Sequence, residues 1–237
     1  MNRVAFLVLV AGAISCVGVY LHGTSRDVVL DRFHALFYNS QTTWAKNDWL
    51  GITTLQNPND VWITQEIIAE VRPDFIIETG TWHGGSAILW AMLLEQVNPD
   101  GRVITIDIDD NTAAAREFPI FPARVDFFHG SSTDPQIVEE IVRRVQGKTV
   151  LVILDSDHRE GHVRRELELY APLVSLGSYL IVQDTNVNGH PIRVDFGPGP
   201  MEALDDFLQS QESFEIDASR ERLLFTLHPR GYLKRVR

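Results

Sequence analysis

A single cysteine, Cys16, stands in 237 residues. That excludes a disulfide framework within the chain and fits a reducing compartment. Cationic charge is also scarce: 21 Lys and Arg face 32 Asp and Glu, for a formal net charge of −11. With no basic patch to neutralise phosphates, the composition argues against a nucleic-acid partner. Three glycine signatures are missing. No GxxxxGK loop cradles a nucleotide triphosphate, no GxSxG elbow carries a hydrolase serine, and no GxGxxG is present. Internal repeats and low-complexity linkers are absent too, so residues from about 50 to 237 read as one domain.

The most telling segment that is present runs from Phe75 to Ser86 (FIIETGTWHGGS). Its apolar part is short, rich in isoleucine and bounded by Pro73 and Gly80, which favours a buried strand over a helix. Glycines at 80, 84 and 85 allow a ligand close to the backbone, because no Cβ stands in the way. A helix over Ser86–Val97 then aims its N-terminal N–H groups at an anionic ligand. Strand, glycine turn and helix N-terminus together make a nucleotide-type cofactor pocket at the carboxyl end of a sheet.

Val4 to Leu21 form an uncharged apolar run of 18 residues, just enough to span a bilayer as a helix. A membrane anchor over residues 1–23 is the favoured reading. A cleaved signal peptide and a buried core helix are the alternatives. Arg3 before the run and Arg26 and Arg32 after it leave the orientation open, since Asp27 and Asp31 dilute the latter pair. Val28 to Trp49 read as one or two short amphipathic helices, a lid or linker over residues 24–49.

Strand and helix patterns alternate beyond Trp49. Strands are expected at Phe75–Gly80, Val103–Asp109, Val125–Gly130, Thr149–Asp155 and Tyr179–Asp184. Helices are expected at Ser86–Val97, Asn111–Glu117, Pro135–Val145, Arg159–Ala171 and from Pro200 to about Gln209. Near-continuous apolar strands between helices indicate an α/β fold with a mostly parallel sheet, helices on both faces. Phe214–Ala218 and Leu223–His228 are expected to close it as an antiparallel hairpin, turning at Ser219–Arg222.

Acidic residues recur where these strands end: Asp107, Asp155 and Asp184. Singly, each is as readily a turn or cap residue. Three at matching positions beside a glycine turn point to a crevice over the sheet. Asp107 lies 27 residues past Gly80, where a carboxylate accepts both ribose hydroxyls of an adenosine cofactor. Glu78 inside its strand is a costly buried charge unless a cation or hydrogen-bonding ligand meets it. Asp155, Asp184 and the amide oxygen of Gln183 converge as an all-oxygen site suited to Mg²⁺. His158, three residues past Asp155, is the candidate general base. Asp157 reads as a cap or supporting residue, His83 and His190 as weaker candidates, and His162 as a helix-surface residue.

Taken together these segments resemble class I S-adenosylmethionine-dependent methyltransferases, and more narrowly the cephalosporin hydroxylase / rhamnosyl O-methyltransferase family. The resemblance rests on Glu78-Thr79-Gly80-Thr81 with Gly84-Gly85-Ser86, on Val152 to His158, and on Gly177 to Asn186. Gly197 to Ala203 and the ending Gly231-Tyr232-Leu233-Lys234-Arg235 also match. It covers roughly Trp44 to Arg237 and leaves out the apolar N-terminus.

The resemblance implies a Rossmann-like, seven-stranded sheet with a C-terminal antiparallel hairpin. It implies that Glu78, Gly80, Thr81, Gly84, Ser86, Asp107 and Ser131 bind S-adenosylmethionine, that Asp155, Gln183 and Asp184 bind Mg²⁺, and that His158 is the base. The family's usual glutamate before the last aspartate is Gln183 here, which removes one negative charge. The implied activity is O-methylation of a sugar, a small molecule or a glycolipid acceptor. A hydroxylase-type or catalytically degenerate donor-binding member is the alternative. The donor is made in the cytosol, so the catalytic domain is expected on that side of the membrane. A homo-oligomer is admitted, with no copy number fixed.

Overall fold

The computed structural model describes residues 25–40 and 42–237. The apolar run expected as an anchor, and Cys16, lie outside the described residues. Among these, no helix is long and apolar enough to cross a membrane. Residues up to Ser40 and residues from 41 onward form separate units. The first contains helix α1 (Arg26–Asn39).

The second unit opens with a small hairpin, β1 (Asp48–Trp49) and β2 (Ile52–Thr53). Leu50 and Gly51, both at positive φ, make its two-residue turn. Helix α2 (Pro58–Val71) follows, absent from the expectations although its start signal is plain. Asn57 caps it by accepting from the Asn59 N–H, and Pro58 takes the first position, where a missing N–H costs nothing.

Strands β3 (Phe75–Thr79), β4 (Arg102–Asp107), β5 (Val125–His129), β6 (Val150–Leu154) and β7 (Tyr179–Val182) are all parallel. With β8 (Phe214–Ile216) and β9 (Tyr232–Arg235) they form a seven-stranded sheet of order β5-β4-β3-β6-β7-β9-β8. The last two strands are antiparallel to their neighbours. The sheet is thus the expected one, but its final strand is Tyr232–Arg235, not Leu223–His228. Side chains of α2 take two of the backbone groups that residues 223–228 would need for a ladder. Asn59 Nδ2 donates to the Phe225 carbonyl, and the Leu227 N–H donates to Asp60.

Helix α3 (Gly85–Val97) and α4 (Ile120–Arg124) lie with α2 on one face of the sheet; α5 (Pro135–Val145), α6 (Glu160–Tyr170) and α7 (Pro200–Ser210) cover the other. The helix expected over Asn111–Glu117 is a single 3₁₀ turn, Ala115–Glu117, followed by α4. Ile76, Val103, Ile153 and Trp90 are buried in the first core, Ile77, Ile104, Val152 and Leu167 in the second. Strands with apolar side chains on both faces read as unbroken apolar runs for this reason.

Candidate active site

The sheet's ladder continues one residue past each strand. Gly80 N–H donates to the Ile106 carbonyl (2.8 Å), Asp155 N–H to Thr79 (3.0 Å), Gln183 N–H to Leu154 (2.9 Å) and Gly130 N–H to Asp107 (2.8 Å). These bonds set Gly80, Asp107, Asp155 and Gln183 level along the carboxyl edge, where open α/β sheets bind ligands.

Gly80 sits at φ 87°, and a Cβ there would lie 1.9 Å from the Asp155 carbonyl oxygen. Glycine is therefore required at this junction of β3 and β6. The turn is tied to β4 by the Asp107 carboxylate, whose Oδ2 accepts from the Thr81 N–H (2.9 Å) and the Trp82 N–H (2.7 Å). Its Oδ1 accepts from the Asp109 N–H (3.0 Å). Gly84, at φ 82°, caps α3 in place of a side chain. Ser131, after β5, pairs its hydroxyl with Thr133 at 2.9 Å.

Glu78 is buried, yet it does not lack partners. It accepts from Trp90 Nε1 (2.9 Å) and from the hydroxyl of Thr105, its neighbour in the ladder (2.7 Å). Ser86 bonds it as well. Burial dominates even so and pushes its carboxyl up to about 7. The chain's own donors offset only part of the cost anticipated for this residue.

Asp155, His158 and Asp184 each offer a ligand atom, and these atoms all lie within 4.8 Å of one another. His158 Nε2 is 3.0 Å from Asp184 Oδ2 and 4.0 Å from Asp155 Oδ1. Burial raises the Asp155 carboxyl well above the usual carboxylate range, and the nearby Asp184 charge adds to this. Two carboxylates and an imidazole form a donor set that fits a divalent cation. Gln183 is buried beside them, its amide against Gln56 and Asp155. Gln56 Nε2 also donates to Asp155 Oδ2 (3.0 Å).

Three other predicted positions are occupied locally. Asp157 accepts from Arg159, which holds its carboxyl down at about 2. His190 Nε2 lies 2.9 Å from Glu202. His162 is half-buried, unlike the expected surface residue, with Nε2 3.1 Å from Ser132 Oγ and 3.4 Å from the buried Glu166. Gln56, Asp60 and His228 were missed. Gln56 has no sequence signal. The Asn57-Pro58 start of α2 marks Asp60 as a first-turn residue, but its contact with residue 227 is long-range.

The family model described as Rhamnosyl O-methyltransferase/CmcI matches residues 41–236. Among curated proteins, the chain is similar to a rhamnosyl O-methyltransferase of Mycobacterium tuberculosis. They are 38% identical over 217 residues, 88% of this chain and 86% of that one. A rhamnosyl O-methyltransferase of Mycobacterium leprae is 35% identical over 228 residues, 93% of this chain and 96% of that one. Among solved structures, an apo form of CmcI-N160 aligns with TM-score 0.60 at 20% identity, covering 81% of this chain and 76% of that one. At that identity the likeness is one of fold.

Proposed function

The chain belongs to the Rhamnosyl O-methyltransferase/CmcI family, and we propose that it transfers the methyl group of S-adenosylmethionine to a sugar hydroxyl, on a saccharide or glycolipid, beside Mg²⁺. The observation that carries this reading is the convergence of Asp155, His158 and Asp184 at the ends of β6 and β7. The rhamnosyl O-methyltransferase relatives support the sugar as acceptor.

When bound, the donor supplies an electrophilic sulfonium methyl, and the cation supplies a Lewis acid that acidifies and orients a hydroxyl. Asp155 and Asp184 would hold the cation, with Gln183 contributing a neutral oxygen. His158 accepts the proton of the acceptor hydroxyl at Nε2. The site's main task is then alignment of oxygen and methyl, since a displacement of this kind responds chiefly to positioning. Glu78, Gly80, Thr81, Gly84, Ser86, Asp107 and Ser131 are assigned to the donor. In this assignment Asp107 faces the ribose, while Glu78 stays beneath the turn and acts through Ser86, Thr105 and Trp90. Residues 185–199 wall the acceptor side.

The test is transfer of labelled methyl from S-adenosylmethionine to a rhamnosyl glycoside by the full chain. Label is expected on the sugar, is lost with EDTA, and is lost in Asp184→Ala. Transfer undiminished by EDTA would remove Mg²⁺ from the reading. A folded, donor-binding protein that labels no glycoside would remove the acceptor.

The uncharged run Val4–Leu21 supports a tether to a membrane, suited to a glycolipid acceptor, and the cytosolic origin of the donor favours the catalytic domain on that side. Release of the chain from membranes by alkaline carbonate would sink this part.

A further inference from the structure

His228 is 2% exposed, in the segment between the 3₁₀ turn at Ala218–Glu221 and β9. The backbone N–H of Asp184 donates to its Nδ1 at 3.1 Å. A ring nitrogen that accepts carries no proton, so in the neutral ring the proton sits on Nε2. That Nε2 has no partner at hydrogen-bond distance; Asp60 Oδ2 lies 3.6 Å away. Asp60 is itself 1% exposed and firmly held. Its Oδ1 accepts from the Tyr232 hydroxyl (2.9 Å), and its Oδ2 from Asn57 Nδ2 and the Leu227 N–H (both 2.8 Å).

Asp184 has φ 52°, a left-handed backbone that is unfavourable for a residue with a Cβ. Such a conformation persists where the surroundings over-determine it. Here the segment 228–231 grips 182–185 at three points. Val182 N–H donates to the Gly231 carbonyl (2.9 Å), Asp184 N–H to His228, and Thr185 Oγ1 to the Pro229 carbonyl (2.6 Å). A Cβ on Gly231 would come 2.2 Å from the Val182 oxygen, so the close approach needs glycine. The middle bond of the three falls on Asp184 itself.

We propose that His228 is a positioning residue for the cation site: its Nδ1 fixes the Asp184 amide and thereby aims the Asp184 carboxylate, while Asp60 orients the imidazole from behind. This rests on the reading that Asp184 holds a cation. A carboxylate on a strained backbone keeps its direction only if the peptide next to it cannot rotate. Partners of this kind typically alter metal affinity by about 10- to 100-fold when removed.

Asparagine and glutamine separate this role from packing. Asparagine places its oxygen near the position of Nδ1, whereas glutamine places its amide near Nε2. Mg²⁺ affinity by calorimetry and Asp184 amide hydrogen exchange are read on the full chain. His228→Asn should bind Mg²⁺ close to the wild-type affinity and keep the Asp184 amide protected. His228→Gln should bind about 10- to 100-fold more weakly and exchange that amide quickly. Equal affinity and equal protection in the two variants would overturn the proposal.

If His228→Gln does not fold, Asp60→Asn carries the test, because the ring then loses its anionic neighbour and is free to turn. Affinity and protection should fall together, and a folded Asp60→Asn unchanged in both overturns the proposal. A wild-type chain that binds no Mg²⁺ would overturn the cation reading instead. Amide exchange in the His228 variants then decides the His228 bond by itself.

Discussion

His158 Nε2 and Asp184 Oδ2 lie 3.0 Å apart, an ion pair within the proposed cation site. Burial alone would lower the imidazole pKa. The Asp184 carboxylate, by charge and hydrogen bond, outweighs it with help from Asp155 and holds the ring up to about 9. At neutral pH, with no cation present, His158 is therefore a cation and not a base.

A proton on His158 and a metal ion on Asp155 and Asp184 consequently compete. The folded-state pKa is raised from 6.5, so the ion pair's stabilisation is complete below pH 6.5 and is lost as pH rises through about 9. Saturating Mg²⁺ should move the His158 titration, followed by NMR of the ring, down by at least about one unit. A titration that does not respond to Mg²⁺ would place the cation elsewhere. His158→Ala should lower the methyl-transfer rate by about 10²- to 10⁴-fold, the usual contribution of a general base.

Glu78 gives a second pH signature of defined sign. Its carboxyl is raised from 4.5 to about 7, so the folded chain binds a proton there that the unfolded chain has released. The associated stability is complete below pH 4.5 and is lost as pH rises through about 7, amounting to about 3 kcal/mol. Glu78→Gln should flatten that fall. Urea denaturation between pH 4.5 and 8 measures it, and an identical slope in the variant would assign the effect to another group.

Gln183, where the family resemblance leads to an expected glutamate, is buried against Gln56 and Asp155. Gln183→Glu restores a charge to a site already holding two carboxylates. Mg²⁺ should bind about tenfold more tightly, in line with ligand charge tuning affinity. Without Mg²⁺ the variant should melt at lower temperature, since a buried carboxylate beside two others has no cation to offset it. Unchanged affinity would show that this side chain does not face the ion.

Gly80→Ala tests the junction of β3 and β6. The added Cβ would meet the Asp155 carbonyl at 1.9 Å in a left-handed backbone. Either β6 shifts or the chain unfolds, at a cost above about 3 kcal/mol. Wild-type stability in chemical denaturation would mean that the strands are not locked here.

Much of this site was legible in one dimension. Strands β3, β6 and β7 announce themselves as apolar runs because they are covered on both faces, and Asp107, Asp155 and Asp184 stand at or just past the ends of β4, β6 and β7. Leu223–His228 misled for a physical reason: Phe225 and Leu227 do face inward while Leu223 and Leu224 are exposed, but Asn59 and Asp60, far away in sequence, take the Phe225 carbonyl and the Leu227 N–H. The start of α2 at Asn57-Pro58 is readable from capping rules.

The sequence by itself determined the five parallel strands, the glycine turn and the carboxylates at the strand ends, because strand period, positive φ and charge are local properties. Only the tertiary structure decided how those carboxylates are held. Gln56 reaches Asp155 across 99 positions of chain and His228 reaches Asp184 across 44. Contacts at such separations leave no periodic trace, since any polar side chain in a loop would look the same until the fold brings its partner to it.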